Sequence, residues 1–157
     1  MAAGVRAVFD NTVQRLEALT AVTRYGNTAR FSHVSQTGAG EDLTDVRSNC
    51  RKFILVPTGT RSIVGFLGQE GEMTSVQQTF DLVVAYPVGR KLSDLFKLVA
   101  EDVDSIGRQL MNTGGFSTPT TGLERRTVEN YSLDMDDQGG TALLTIGVDV
   151  RYTPEHN

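Results

Sequence analysis

The sequence predicts a single α+β domain. Its sheet is mixed or antiparallel, with an N-terminal helix and a long central helix packed on one face and a C-terminal β-hairpin closing it. Three observations predict this. Apolar residues from Leu92 to Leu110 recur at helix spacing. Two strand-period stretches follow, Leu123 to Met135 and Ala142 to Tyr152. The segment joining them, Asp136-Asp137-Gln138-Gly139-Gly140, ends in a glycine pair that suits a hairpin connection. At 157 residues, 39% hydrophobic and 22% charged, the chain fits one domain that buries a core without metal or disulfide staples.

Residues 4 to 19 read as an amphipathic helix. Val5, Val8, Phe9, Val13, Leu16 and Leu19 form its apolar stripe, with Arg6, Asp10, Gln14, Arg15 and Glu17 on the other side. Turns are expected at Tyr25 to Thr28 and at Asp45 to Asn49, and a short strand at Ala29 to Val34. Arg51 to Val56 reads as a strand that Pro57 stops. Its apolar run, Phe53 to Val56, is continuous, as in a strand covered on both faces. Thr58-Gly59-Thr60 reads as a turn, and Arg61 to Leu67 as a second, shorter strand. Val76 to Tyr86 is a long strand with Phe80, Leu82, Val84 and Tyr86 on one face.

In the central helix, Leu92, Leu95, Phe96, Val99, Val103, Ile106 and Leu110 form the core stripe. Lys97, Glu101, Asp102, Asp104 and Arg108 lie off it. Asp94 falls in the first turn, where the helix dipole favours a carboxylate. In the hairpin, Leu123, Tyr131, Leu133 and Met135 share one face of the first strand. Ala142, Leu144, Ile146, Val148, Val150 and Tyr152 share one face of the second. Sixteen glycines cluster between the periodic segments and mark loops near 34–49, 68–75 and 113–121. The opposite sheet face then carries Asp81, Val83, Glu124, Arg126, Val128, Leu143 and Thr145, a mixed surface that suits a subunit or partner interface.

Little in the chain is free to do chemistry, so no catalytic residue, cofactor or metal site is expected. His33 has Ser32 and Ser35 nearby, but no nucleophile elbow accompanies them. The carboxylates Asp134, Asp136 and Asp137 fall at a hairpin tip, and Glu101, Asp102 and Asp104 on a helix. Both groups read as solvated surface rather than as an oxygen-ligand cation site. No glycine-rich piece has the phosphate-loop or dinucleotide pattern.

Net charge is −4, and the basic residues come at most in pairs, Arg51-Lys52, Arg90-Lys91 and Arg125-Arg126. That excludes strong sequence-independent DNA binding, which rests on many phosphate contacts. The single cysteine, Cys50, points to a reducing cytoplasm. Neither a signal-peptide layout nor a membrane-length apolar run is present, so no membrane association is expected.

The order of elements, with the letters Tyr131-Ser132-Leu133-Asp134-Met135-Asp136-Asp137, Thr141-Ala142-Leu143-Leu144-Thr145-Ile146 and Val150-Arg151-Tyr152, resembles the tail-terminator family of long-tailed bacteriophages, the relatives of lambda minor tail protein U. The strand Phe80 to Tyr86, ended by Pro87 and followed by a helix, is similar too. The resemblance implies a structural virion protein: a homohexameric ring at the head-proximal end of the tail tube, assembled in the host cytoplasm. Its partners would be further copies of itself, the tail tube protein and the head–tail connector or neck proteins. Genome DNA would pass through the lumen without specific binding. Within the same class the alternative is a head-completion, neck or tail-tube protein. From another class, it is a small-ligand-binding or enzymatic α+β domain.

Overall fold

The computed structural model describes residues 5–19, 30–34, 51–63, 75–88, 92–111, 123–136 and 140–152. The turns expected at Tyr25 to Thr28 and Asp45 to Asn49, and most of the expected loops, lie outside these residues. Along the chain the elements are α1 (Val5–Glu17), β1 (Ser32–His33), β2 (Lys52–Ile63), β3 (Ser75–Pro87), α2 (Leu92–Met111), β4 (Leu123–Asp136) and β5 (Thr141–Tyr152). They form an α+β unit with one 5-stranded mixed sheet in the order β1-β2-β3-β5-β4. Only β1 pairs in parallel, with β2; the other pairs are antiparallel. Strands β3 and β4 therefore run the same way, joined through α2, with β5 inserted between them. The closing hairpin β4–β5 feeds its second strand into the middle of the sheet.

β5 takes that central place because its alternation is the cleanest in the chain. Ala142, Leu144, Ile146, Val148, Val150 and Tyr152 are all buried on one face. They meet Phe80, Leu82, Val84 and Tyr86 of β3 and Phe53 and Leu55 of β2 in a single core. Both helices close that inner face, α1 through Val8, Val13 and Leu16 and α2 through Leu95, Leu98, Val99, Ile106 and Leu110.

Several expectations are corrected here. Pro57 does not end its strand. β2 continues to Ile63 as one element, with a register shift between Pro57 and Gly59 where a turn was expected. The extra residue, Thr58, donates its hydroxyl to Thr79 Oγ1 at 2.8 Å. Proline is tolerated at a bulge, and β1 pairs only with Lys52 and Phe53, leaving Pro57 beyond that partner. Phe53 and Leu55 are buried on the inner face, but Ile54 and Val56 are only half-buried on the other. The continuous apolar run thus does not mark two helix-covered faces. Val34, the boundary between the expected short strand and the loop after it, is buried on the strand side, and its N–H donates to the Phe53 carbonyl at 2.9 Å.

The stripe of α2 is rotated from the expected one. Leu92 and Phe96 are 45% and 48% exposed, whereas Leu98 and Asp102 are buried. Likewise Arg15 of α1, expected on the solvent side, is buried. These shifts come from polar contacts that periodicity does not register. Replacing Leu144 with Ala is expected to cost about 2–5 kcal/mol of stability. Phe96→Ala, at a half-exposed position, is expected to stay within ~0.5 kcal/mol. Urea unfolding of the two variants checks the rotated stripe.

Candidate subunit interface

Two inner-side networks fix which residues are left for the outside. The first centres on Arg51, which sits just before β2 with φ of 59°. That left-handed conformation costs a non-glycine residue roughly 1–2 kcal/mol. The residue is held there from four directions. Its N–H donates to the Ala85 carbonyl of β3 at 2.9 Å, and its carbonyl accepts from Ser32 N–H of β1 at 3.2 Å. Its guanidinium grips Asp102 of α2 side-on, with Nε to Oδ2 at 2.9 Å and Nη2 to Oδ1 at 2.8 Å. The same guanidinium lies 5.4 Å from the Phe31 ring centroid. Tyr86 donates its hydroxyl to Asp102 Oδ2 at 2.8 Å. Asp102 is therefore no part of a solvated helix face; its carboxylate ties α2 to β2 and β3.

The second network lies where α1 meets β4. Arg126 donates from Nη2 to Asn11 Oδ1 at 2.7 Å, and Gln109 of α2 donates to the Arg15 carbonyl at 2.9 Å. Arg126 is only 3% exposed. Burial pushes its pKa down to about 10, and the nearby Arg15 guanidinium adds to the shift.

This placement corrects part of the expected interface. Arg126 stands opposite Val150 and Val128 opposite Val148, so both lie on the inner face. Val128 packs against the core. The cause is a pair of one-residue bulges in β4, between Leu123 and Arg125 and between Val128 and Tyr131. Each adds a residue and reverses the alternation. Residues 126 and 128 therefore point to the same side as 131, 133 and 135. Glu124 sits in the first bulge. The other four expected residues do lie together on the outer face. Asp81 stands between Val56 and Gly147, Val83 between Ile54 and Thr145, and Leu143 between Ala85 and Asp134. All four, Thr145 included, are half-buried.

Ile54, Val56, Val83 and Leu143 thus form an apolar centre on a sheet face that neither helix covers. A second apolar region escaped the sequence reading. Every exposed large hydrophobic among the described residues lies on α2 or on the edge strand β4: Leu92, Phe96, Met111, Tyr131 and Met135. Tyr131 and Met135 have inner-face register, but β4 is the last strand of the sheet and α2 leaves them exposed. The signal available in the sequence was that the last strand of a sheet gains cover on one side only; the strand order needed to use it was not.

At one end of the outer face, Gln77, Thr127, Glu129, Asp149 and Arg151 line an open cleft of about 290 Å³. Gln77 donates to Asp149 Oδ2 at 2.6 Å. His33 packs edge-on to Phe9 at 5.8 Å and against Phe53 at 5.4 Å, so its ring serves the core beside α1. Among the described residues, no group of three or more His, Cys, Asp or Glu gathers at a spacing that could hold a metal ion. No helix among them is long and apolar enough to cross a membrane. Compared with protein families and with curated proteins, the chain matches neither.

Truncating Asp102 to Ala removes the side-on carboxylate partner of a buried guanidinium and is expected to cost about 3–5 kcal/mol. The double variant Arg51→Met/Asp102→Leu is expected to be more stable than Asp102→Ala alone, because it removes both charges of the buried pair rather than one. Urea unfolding of the wild type and these variants provides the comparison.

Proposed function

We propose that this chain is a structural subunit of a bacteriophage tail, a tail terminator. It closes into a homohexameric ring at the head-proximal end of the tail tube, ends tube growth and joins the tail to the head connector. The observation that carries the reading is the outer sheet face that neither helix covers, with Ile54, Val56, Val83 and Leu143 at its centre and Asp81 and Thr145 among them. An apolar centre with polar neighbours is the composition of a protein–protein contact. A ring of identical subunits needs two different surfaces on each copy, because its contacts run head to tail. The exposed rim of α2 and β4, with Phe96, Tyr131 and Met135, supplies a second surface distinct from the first. In this reading the outer face of one copy seats the α2–β4 rim of the next.

The absence of basic runs fits a conduit that lets DNA slide through its lumen. The likeness of the hairpin letters to tail terminators supplies the identity of the assembly. The buried polar networks supply stability and positioning; neither presents a nucleophile beside a general base.

Negative-stain images of the purified chain are expected to show closed rings of uniform diameter. Open filaments would instead make it a tube protein, and a monomer at high concentration would overturn the assembly reading. The variants Val83→Arg and Tyr131→Arg each remove one surface and are expected to sediment as monomers with unchanged circular dichroism. Mixed together, they retain one intact surface pair and are expected to form heterodimers that grow no further. Failure of the mixture to associate would rule out the head-to-tail pairing of these two surfaces.

A further inference from the structure

Arg126 poses an electrostatic problem that its described surroundings leave open. Its side chain is buried against α1, and its one hydrogen bond runs from Nη2 to the neutral Asn11 amide. Nε and Nη1, which carry most of the guanidinium's donors, are buried without an acceptor. Among the described residues no Asp or Glu pairs with Arg126, and its charged neighbour is another arginine, Arg15. A guanidinium keeps its proton at neutral pH, so the charge cannot be relieved by deprotonation. Leaving such donors unmet in a low-dielectric setting costs several kcal/mol per buried ion. A compensating anion would offset this charge, and a guanidinium N–H forms a strong charge-assisted hydrogen bond to an oxyanion.

We infer that the contact between α1 and β4 is a seat for a small oxyanion, held against the guanidinium of Arg126 beside Arg15. The occupant is a free phosphate-like or carboxylate ion. Nucleic acid does not fit, because the duplex backbone cannot reach a guanidinium that is 3% exposed. Asn11 fixes the orientation of the guanidinium through Nη2, and the ion takes one of the two nitrogens left unmet, Nε or Nη1. The seat joins the first helix to the edge strand, so its filling strengthens the packing of α1 on the sheet. It stands whether or not the subunits form a ring.

The test measures Tm of the full chain in inorganic phosphate and in acetate, each against chloride at matched ionic strength. With phosphate near 100-fold over its Kd, a rise of roughly 5–10 °C that grows with the logarithm of phosphate concentration is expected for the wild type. The acetate arm tells a carboxylate preference from a tetrahedral one. Arg126→Met is expected to lose the rise while melting no lower than the wild type in chloride, because it removes an uncompensated charge. Should that variant fail to fold, Asn11→Asp provides a second route. It places a carboxylate against the guanidinium, and is expected to melt higher than the wild type in chloride and to respond to neither anion. Equal anion-dependent rises in the wild type and in either folded variant would mark a general salt effect and overturn the seat. So would the absence of any rise in the wild type.

Discussion

The fold depends on one buried ion pair. Arg51 and Asp102 are 51 residues apart, and their side-on contact holds the start of β2, the end of β3 and the middle of α2 in one register. Each part of the network requires the others. Without Asp102 the buried Arg51 guanidinium would lose its side-on carboxylate partner. Without the backbone bonds to Ala85 and Ser32, Arg51 would lose two of the contacts that hold it at positive φ. Tyr86 occupies a lone pair of the carboxylate, and Phe31 covers the guanidinium face, so the pair is compensated by more than its own Coulomb attraction. A hydrophobic replacement of equal volume could match its stability. It would not reproduce the directional link between strand and helix that sets the rotation of α2.

That rotation governs the molecule's surface. Because Asp102 turns inward, Leu98 follows it into the core, while Leu92 and Phe96 are left half-exposed. On the edge strand the two bulges act in a comparable way. They bring Arg126 and Val128 to the inner face and keep Tyr131, Leu133 and Met135 there as well. The helix covers Leu133 better than its two neighbours, so an apolar rim appears beside α2. The outer sheet face loses Arg126 and Val128 from its β4 edge, while its apolar centre on β2, β3 and β5 keeps the alternation of those strands. The α2–β4 rim is therefore a product of polar and irregular features inside the fold.

Much of the architecture was readable from the residues alone. The α2 segment, the closing hairpin, the long β3 and the inward faces of β3 and β5 all follow from helix or strand periodicity, since those segments place apolar residues on one side only. Four of the expected outer-face residues, Asp81, Val83, Leu143 and Thr145, fall on β3 and β5, where the alternation is unbroken. The errors fall where one residue changes the phase or where a polar side chain is buried. Pro57 reads as a stop because the bulge that accommodates it is invisible without the partner strand. Arg15, Asp102 and Arg126 read as surface because a charge is normally left in water; whether it finds a buried partner depends on residues distant in the chain.

The sequence by itself determined the fold class, the order of elements and the core faces of the two central strands, because local periodicity carries that information. Only the tertiary structure decided that β5 lies between β3 and β4, that Arg51 meets Asp102, that Arg126 faces Asn11, and that α2 leaves a rim of β4 uncovered. Those outcomes rest on pairing and burial between segments far apart in the chain, and a one-residue bulge or a single compensated charge is enough to change them.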